Sequence, residues 1–150
     1  MPSTELAVFG AGCFWAVERA FAELPGVLDT RAGYMGGHVD EPTYAQVCEG
    51  DTGHVEVVEV EFDPDEVAYA DLLELFWTIH DPTSWDQQGA DEGEQYRSVL
   101  FVADERQAAE AERSMLAASE RFDDAIVTEL REVETFWVAE DDHQGFLPRR

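Results

Sequence analysis

Cys13 is one of only two cysteines in the chain, and it sits in the run Gly12-Cys13-Phe14-Trp15. An apolar stretch, Leu6-Ala7-Val8-Phe9, precedes it, followed by the small-residue turn Gly10-Ala11-Gly12. Beyond it, Val17, Ala20, Phe21 and Leu24 recur at steps of three and four, as on one face of a helix. This order of strand, glycine turn and helix predicts Cys13 at or near a helix N-terminus. Unpaired backbone N–H groups there favour an anion, so a thiol so placed ionises more readily than the ordinary thiol with a pKa of about 8.5. With Phe14 and Trp15 next to it, the thiolate would lie against an apolar wall. The chemistry expected is nucleophilic attack on a substrate with an apolar part. The alternative is a buried core cysteine with aromatic neighbours, a common fate of the free thiol.

Other side chains could share such a site. Glu56 lies in the apolar run Val55-Glu56-Val57-Val58-Glu59-Val60-Glu61-Phe62, where it either serves the thiol or faces water beside Glu59 and Glu61. Tyr44 and Tyr96 are phenols, donors at neutral pH, in two long stretches rich in glycine and polar residues; the default for each is an amphipathic surface or core aromatic. Asp91, between Ala90 and Gly93, is by default a turn former. His54, His80 and His143 fit no common zinc spacing, so no metal site is expected, and His80 reads as a helix-face core residue. Cys13 and Arg19 also form C-x5-R, the cradle of cysteine phosphatases. That reading fails because Phe14, Trp15 and Val17 would block converging N–H groups and Glu18 would repel phosphate.

The elements that must position these residues follow from periodicity. Strands are predicted at 6–9, 27–33, 54–62, 98–102 and 126–133, and helices at 13–24, 43–48, 69–80 and 105–121. In 54–62, Val58 breaks the alternation of valine and glutamate. In the third helix, Leu72, Leu73, Phe76, Trp77 and His80 share a face, with Pro64 before and Pro82 after as boundary signals. The order predicts an α+β fold, a two-layer ferredoxin-like sandwich with a mixed sheet and helices on one face. The stretches 33–53 and 81–97 are left as long active-site loops. The 150 residues are expected to form a single domain, 1–150.

Charge narrows the partners. The chain has 34 acidic and 9 basic side chains, a formal charge of −25, and no lysine. The acids are dispersed rather than gathered in a tail. Such a surface repels nucleic acid and anionic membranes, and neither is an expected partner. It also resembles the proteins of salt-loving organisms, whose medium screens the repulsion. Met1-Pro2-Ser3-Thr4-Glu5 lacks the features of a secretory signal, and no run approaches the length of a membrane span. Two cysteines do not make a disulfide scaffold. A monomer in the cytoplasm is expected.

The surroundings of Cys13 carry a family resemblance. Gly12-Cys13-Phe14-Trp15-Ala16-Val17-Glu18 resembles the GCFWxxE signature of the peptide methionine sulfoxide reductase A family. Gly33-Tyr34-Met35-Gly36-Gly37 is similar to its G-Y-x-G-G segment. Pro42-Thr43-Tyr44, Val47-Cys48 and Thr52-Gly53-His54-Val55-Glu56 are similar to its P-T-Y…V-C-x-G-x-T-G-H-x-E block. His80-Asp81-Pro82-Thr83, the run from Gln88 to Ser98, and the run from Ala139 to Gln144 resemble three further motifs in the family's order.

The resemblance implies that the chain reduces methionine S-sulfoxide, free or in proteins, through a cysteine sulfenic acid. It implies that Cys13 attacks the sulfoxide sulfur and that Phe14 and Trp15 hold the S-methyl group. Glu56, Tyr44 and Tyr96 would bind the sulfoxide oxygen, onto which attack pushes charge, and Asp91 would shape the site. A carboxylic acid kept protonated in an apolar pocket can supply a proton. A sulfoxide-binding or redox-sensing module without turnover is the rival reading, against which the intact Cys13, Glu56, Tyr44 and Tyr96 weigh. Ala16, Ala90 and Asp142 depart from the usual glycine, asparagine and tyrosine. Many members carry resolving cysteines in a glycine-rich tail; residues 145–150 hold none. No bound cofactor is expected, and recycling by an external thiol, thioredoxin or similar, is expected over resolution by Cys48.

Overall fold

The computed structural model describes residues 4–12, 14–49, 52–84, 87–88 and 91–139, with the backbone alone at Phe14, Cys48, Glu49, Gln87, Asp91, Glu92 and Glu94. In chain order the elements are β1 (Glu5–Ala11), α1 (Phe14–Ala22), β2 (Val27–Met35), α2 (Tyr44–Glu49), β3 (Val55–Phe62), α3 (Tyr69–Thr78), β4 (Gln87–Gln88), β5 (Asp91–Glu92), a 3-10 turn (Glu94–Tyr96), β6 (Ser98–Val102), α4 (Glu105–Ser119), β7 (Glu129–Glu132) and β8 (Trp137–Val138).

Six strands form one sheet in the order β7-β6-β1-β3-β2-β8. The central four, with α1 and α3 as connections, make the β-α-β-β-α-β unit of a ferredoxin-like sandwich. Their pairings are antiparallel, whereas β7 runs parallel to β6 after the α4 crossover, so the sheet is mixed as predicted.

Side-chain parity sorts the two faces. Ala7, Phe9 and Ala11 of β1, and Val58, Val60 and Phe62 of β3, join Val17, Phe21, Leu72, Leu73 and Phe76 in the main core under the helices. Phe9 stacks on Phe21 with centroids 4.6 Å apart. Val8, Met35, Val55, Val57, Val99 and Phe101 form a smaller cluster on the opposite face, with Phe136 against it. Val58 therefore breaks no pattern. In this part of β3 both faces are buried, and consecutive valines serve one face each.

Each helix is anchored by local chemistry. Asp104 accepts a hydrogen bond from the Gln107 N–H at the start of α4, and Gln107 Nε2 donates to the Leu6 carbonyl, tying α4 to β1. Trp77 Nε1 donates to Ser114 Oγ and joins α3 to α4. The strand predicted over 126–133 is shorter. The Val127 N–H bonds the Pro82 carbonyl, so pairing with β6 begins only at Glu129. The predicted loop 81–97 holds the β4–β5 pair and the 3-10 turn, and β8 was not expected. All are two or three residues long, too short to show a period.

Candidate active site

The C-terminal end of β1 is where the site assembles. Ala11 pairs with Ser98 of β6, and Gly10 lies beside the backbone carbonyls of Glu56 and Arg97. The next residue, Gly12, has φ +99°, a left-handed conformation that favours glycine. A Cβ there would lie 3.0 Å from Cβ and Cγ of Gln88. Helix α1 starts at Phe14. Strand, glycine turn and helix thus follow in the predicted order. Cys13 lies outside the described residues, as does the side chain of Phe14.

Glu56 faces the main core, not water. It has the parity of Val58, Val60 and Phe62, whereas Glu59 and Glu61 have the opposite parity. It is 1% exposed and directly opposite Tyr34 of β2, itself fully buried. The 3-10 turn packs against β3 and brings the buried Tyr96 to this strand.

Tyr44 is the first residue of α2. Thr43 and Gln46 cap that helix reciprocally: Gln46 N–H donates to Thr43 Oγ1 at 3.2 Å, and Thr43 N–H donates to Gln46 Oε1 at 2.9 Å. The short helix is thereby fixed at its start, and the Tyr44 ring stacks on Trp15. Asp91 pairs with Gln88 in the β4–β5 ladder; its side chain lies outside the described residues.

Three residues without a predicted role serve this site. The Gln88 amide both accepts from the Asp81 N–H and donates to the Asp81 carbonyl, each at 2.8 Å, while its stem packs on Gly12. It therefore holds the β4–β5 pair against the turn before Cys13. Glu18 of α1 is buried and accepts from Thr30 Oγ1 at 3.0 Å, tying α1 to β2. Tyr34 flanks Glu56. All three stand inside the motifs that carry the family resemblance. A carboxylate on the apolar side of a helix was the signal available for Glu18.

His80 sits near the start of β6. Its Nδ1–H donates to the Phe76 carbonyl, Nε2 accepts from Ser98 Oγ, and Ser98 Oγ accepts from Thr128 Oγ1, each at 2.7 Å. Burial pushes its pKa down to about 4, so it is neutral and structural at pH 7. Among the described residues, no three His, Cys, Asp or Glu side chains are grouped to hold a metal. No helix among them is long and apolar enough to cross a membrane.

The sequence matches the family described as peptide methionine sulfoxide reductase over residues 5–150. It is 57% identical to the peptide methionine sulfoxide reductase MsrA of Methanothermobacter thermautotrophicus, over 97% of this chain and 89% of that one. The fold is similar to methionine sulfoxide reductase A of Corynebacterium diphtheriae, with TM-score 0.92 and 36% identity over 98% of this chain and 75% of that one. It is also similar to reduced Mxr1 of Saccharomyces cerevisiae, with TM-score 0.92 and 30% identity over 96% of this chain and 84% of that one. Mxr1 in complex with Trx2 aligns with TM-score 0.69 at 20% identity, over 97% of this chain and 86% of that one. With its strand–turn–helix at Gly12, its buried Glu56 and near-full-length agreement with these proteins, the chain belongs to the peptide methionine sulfoxide reductase family.

Proposed function

We propose that Cys13 is the nucleophile in this chain's reduction of methionine S-sulfoxide, with Glu56 as proton donor. Methionine sulfoxide reduction itself is the activity the chain shares with its family. The Cys13 thiolate attacks the sulfoxide sulfur. The oxygen gains negative charge and takes a proton from Glu56, while Tyr44 and Tyr96 donate hydrogen bonds to it. A bond from the oxygen to the Cys13 sulfur then replaces both the methionine S–O bond and the transient bond between the two sulfurs. Methionine sulfur is reduced by two electrons, Cys13 sulfur is oxidised by two, and the oxygen ends on Cys13 as a sulfenic acid. Phe14 and Trp15 hold the S-methyl group, and Asp91 shapes the polar side. The observation that carries this reading is the burial of Glu56 on β3, beside the end of β1 and on the face away from Glu59 and Glu61.

Recycling uses external thiols. One thiol condenses with the sulfenic acid, releasing water and leaving a mixed disulfide; a second restores the Cys13 thiol and departs as a disulfide. Mxr1 in complex with Trx2 supports a thioredoxin-like reductant. The catalytic unit is a single domain, 1–150, working without a bound cofactor. Dispersed negative charge supports a monomer, keeps nucleic acid and anionic membranes away, and supports a salt-rich cytoplasm as its setting. The relatives come from many kinds of organism, so the halophilic reading rests on composition alone. The test is intact-mass spectrometry after one equivalent of methionine S-sulfoxide with dimedone as trap. A dimedone adduct on Cys13 is expected, with turnover and adduct both lost in a folded Cys13→Ser variant. A quantitative Cys13–Cys48 disulfide would overturn the external-thiol step, and turnover by Cys13→Ser would overturn the nucleophile.

A further inference from the structure

His54, immediately before β3, is fully buried, 1% exposed, and both ring nitrogens are engaged. The Gly37 N–H donates to Nδ1 at 3.1 Å. Nε2 lies 2.7 Å from the Val39 carbonyl. An amide N–H requires a lone pair and a carbonyl requires a proton. The two contacts therefore fix the neutral Nε2–H tautomer.

The ring belongs to a tight crossing of two chain segments. The His54 N–H donates to Thr52 Oγ1 at 3.1 Å, and the Thr52 carbonyl accepts from the His38 N–H at 2.9 Å. At Gly37 a Cβ would lie 2.4 Å from the Thr52 carbonyl oxygen and 2.5 Å from His54 Cγ. Only glycine permits this approach. Residues 37–39 are thus held to 52–54 by two bonds to the imidazole and by the His38–Thr52 backbone bond. The first segment leads to Thr43 and Tyr44 at the start of α2. The second reaches Glu56 two residues later. The crossing joins the element that carries the phenol to the strand that carries the acid. A phenyl ring could fill the same space but could make neither directed bond.

We propose that His54 is a positioning residue: its neutral Nε2–H imidazole fixes the separation of the Tyr44 phenol from the Glu56 carboxyl. The proposal rests on the reading in which those two groups meet the sulfoxide oxygen. A shift of either group weakens transition-state stabilisation more than substrate binding, so the loss belongs in kcat rather than KM.

The test compares His54→Phe, which keeps bulk, with His54→Asn, which restores an acceptor near Nδ1, and His54→Gln, which restores a donor near Nε2. His54→Phe is expected to lower kcat by about 10- to 100-fold, as misplacement of catalytic groups does, with KM little changed. Asn or Gln should recover part of the loss. In the His54→Phe background, Tyr44→Phe should add little to its single-variant effect. Nitrogen NMR of the wild type should show Nδ1 bare and Nε2 protonated. Melting curves establish folding for each variant, and the Asn and Gln variants carry the comparison if Phe does not fold. The Nδ1–H tautomer, wild-type kcat in a folded His54→Phe, or fully additive losses would each overturn the proposal. If Tyr44→Phe and Glu56→Gln cost nothing in the wild type while the tautomer is as expected, the roles of Tyr44 and Glu56 have failed and the proposal falls with them.

Discussion

Trp15 of α1 and Tyr44 of α2 stack with ring centroids 6.2 Å apart and planes 24° apart. One aromatic pair thereby joins the proposed methyl-binding wall to the proposed oxygen-binding phenol. Aromatic pairs of this kind contribute about 0.5–1.5 kcal/mol beyond area burial. The two substitutions should separate. Tyr44→Phe keeps the stack and loses only the hydroxyl, so kcat should fall about tenfold, the effect of one neutral hydrogen bond, with KM nearly unchanged. Trp15→Ala removes the wall and should raise KM as well. Steady-state kinetics on methionine S-sulfoxide distinguish them, and identical profiles for both variants would refute the division of labour.

Glu56→Gln keeps shape and hydrogen bonding in the buried slot opposite Tyr34 but removes the acid. General acid catalysis contributes about 10²- to 10⁴-fold, and the single-turnover rate of sulfenic acid formation should drop by that range. The loss for Tyr96→Phe should be smaller. An unchanged rate for Glu56→Gln would remove its catalytic role.

His80 gives the fold an acid limit. Burial lowers its pKa from 6.5 to about 4, against the weaker opposing pull of the Phe76 carbonyl and Asp81. The unfolded chain therefore takes the proton first as pH falls. The contribution is complete above pH 6.5 and is lost as pH falls from 6.5 towards 4, up to about 3 kcal/mol. Urea unfolding of the wild type and of His80→Gln at pH 7, 5.5 and 4.5 checks this. Carboxylates titrate in both proteins, so the difference between them isolates His80. Parallel pH profiles would count against the assignment.

Salt should raise the melting temperature. Arg19, Arg31, Arg97, Arg106, Arg121 and Arg131 each already pair with a glutamate. Most acidic side chains still have no cation to meet, since 34 acids face 9 bases. At about 1 M salt the Debye length shortens to about 3 Å, and repulsion fades. A thermal series from dilute buffer to molar potassium chloride should climb steeply; a flat or falling curve would speak against adaptation to salt.

Much of this was legible in the sequence, for reasons that differ by residue. The helices showed themselves through period, because each buries one face, and the four central strands through short apolar runs, since β6 is buried throughout and β1 and β3 over most of their length. The C-terminal ends of α1, α3 and α4 each fall two residues before the expected ones; Leu24 and His80 continue the apolar pattern past the last helical turn of the first two. Glu56 was ambiguous only while β3 was read as having one wet face. Counting from Phe62, its parity is that of the core positions, opposite to Glu59 and Glu61. The joins Gln88–Asp81 and His54–Gly37 left no trace in any local pattern. They link segments 7 and 17 residues apart through backbone groups, and the one residue type they demand, glycine at 37, reads equally well as a turn former.

Among the described residues, the sheet ends in short strands on both sides: β7 has four residues and β8 has two. A strand edge is a template on which another chain can add, and long flat edges invite fibrils. β7 also alternates charge, with Glu129, Arg131 and Glu132. Wherever salt screens the charge, electrostatic repulsion no longer keeps neighbouring copies apart. Brevity at both borders then protects the fold by geometry, which no concentration of salt can screen.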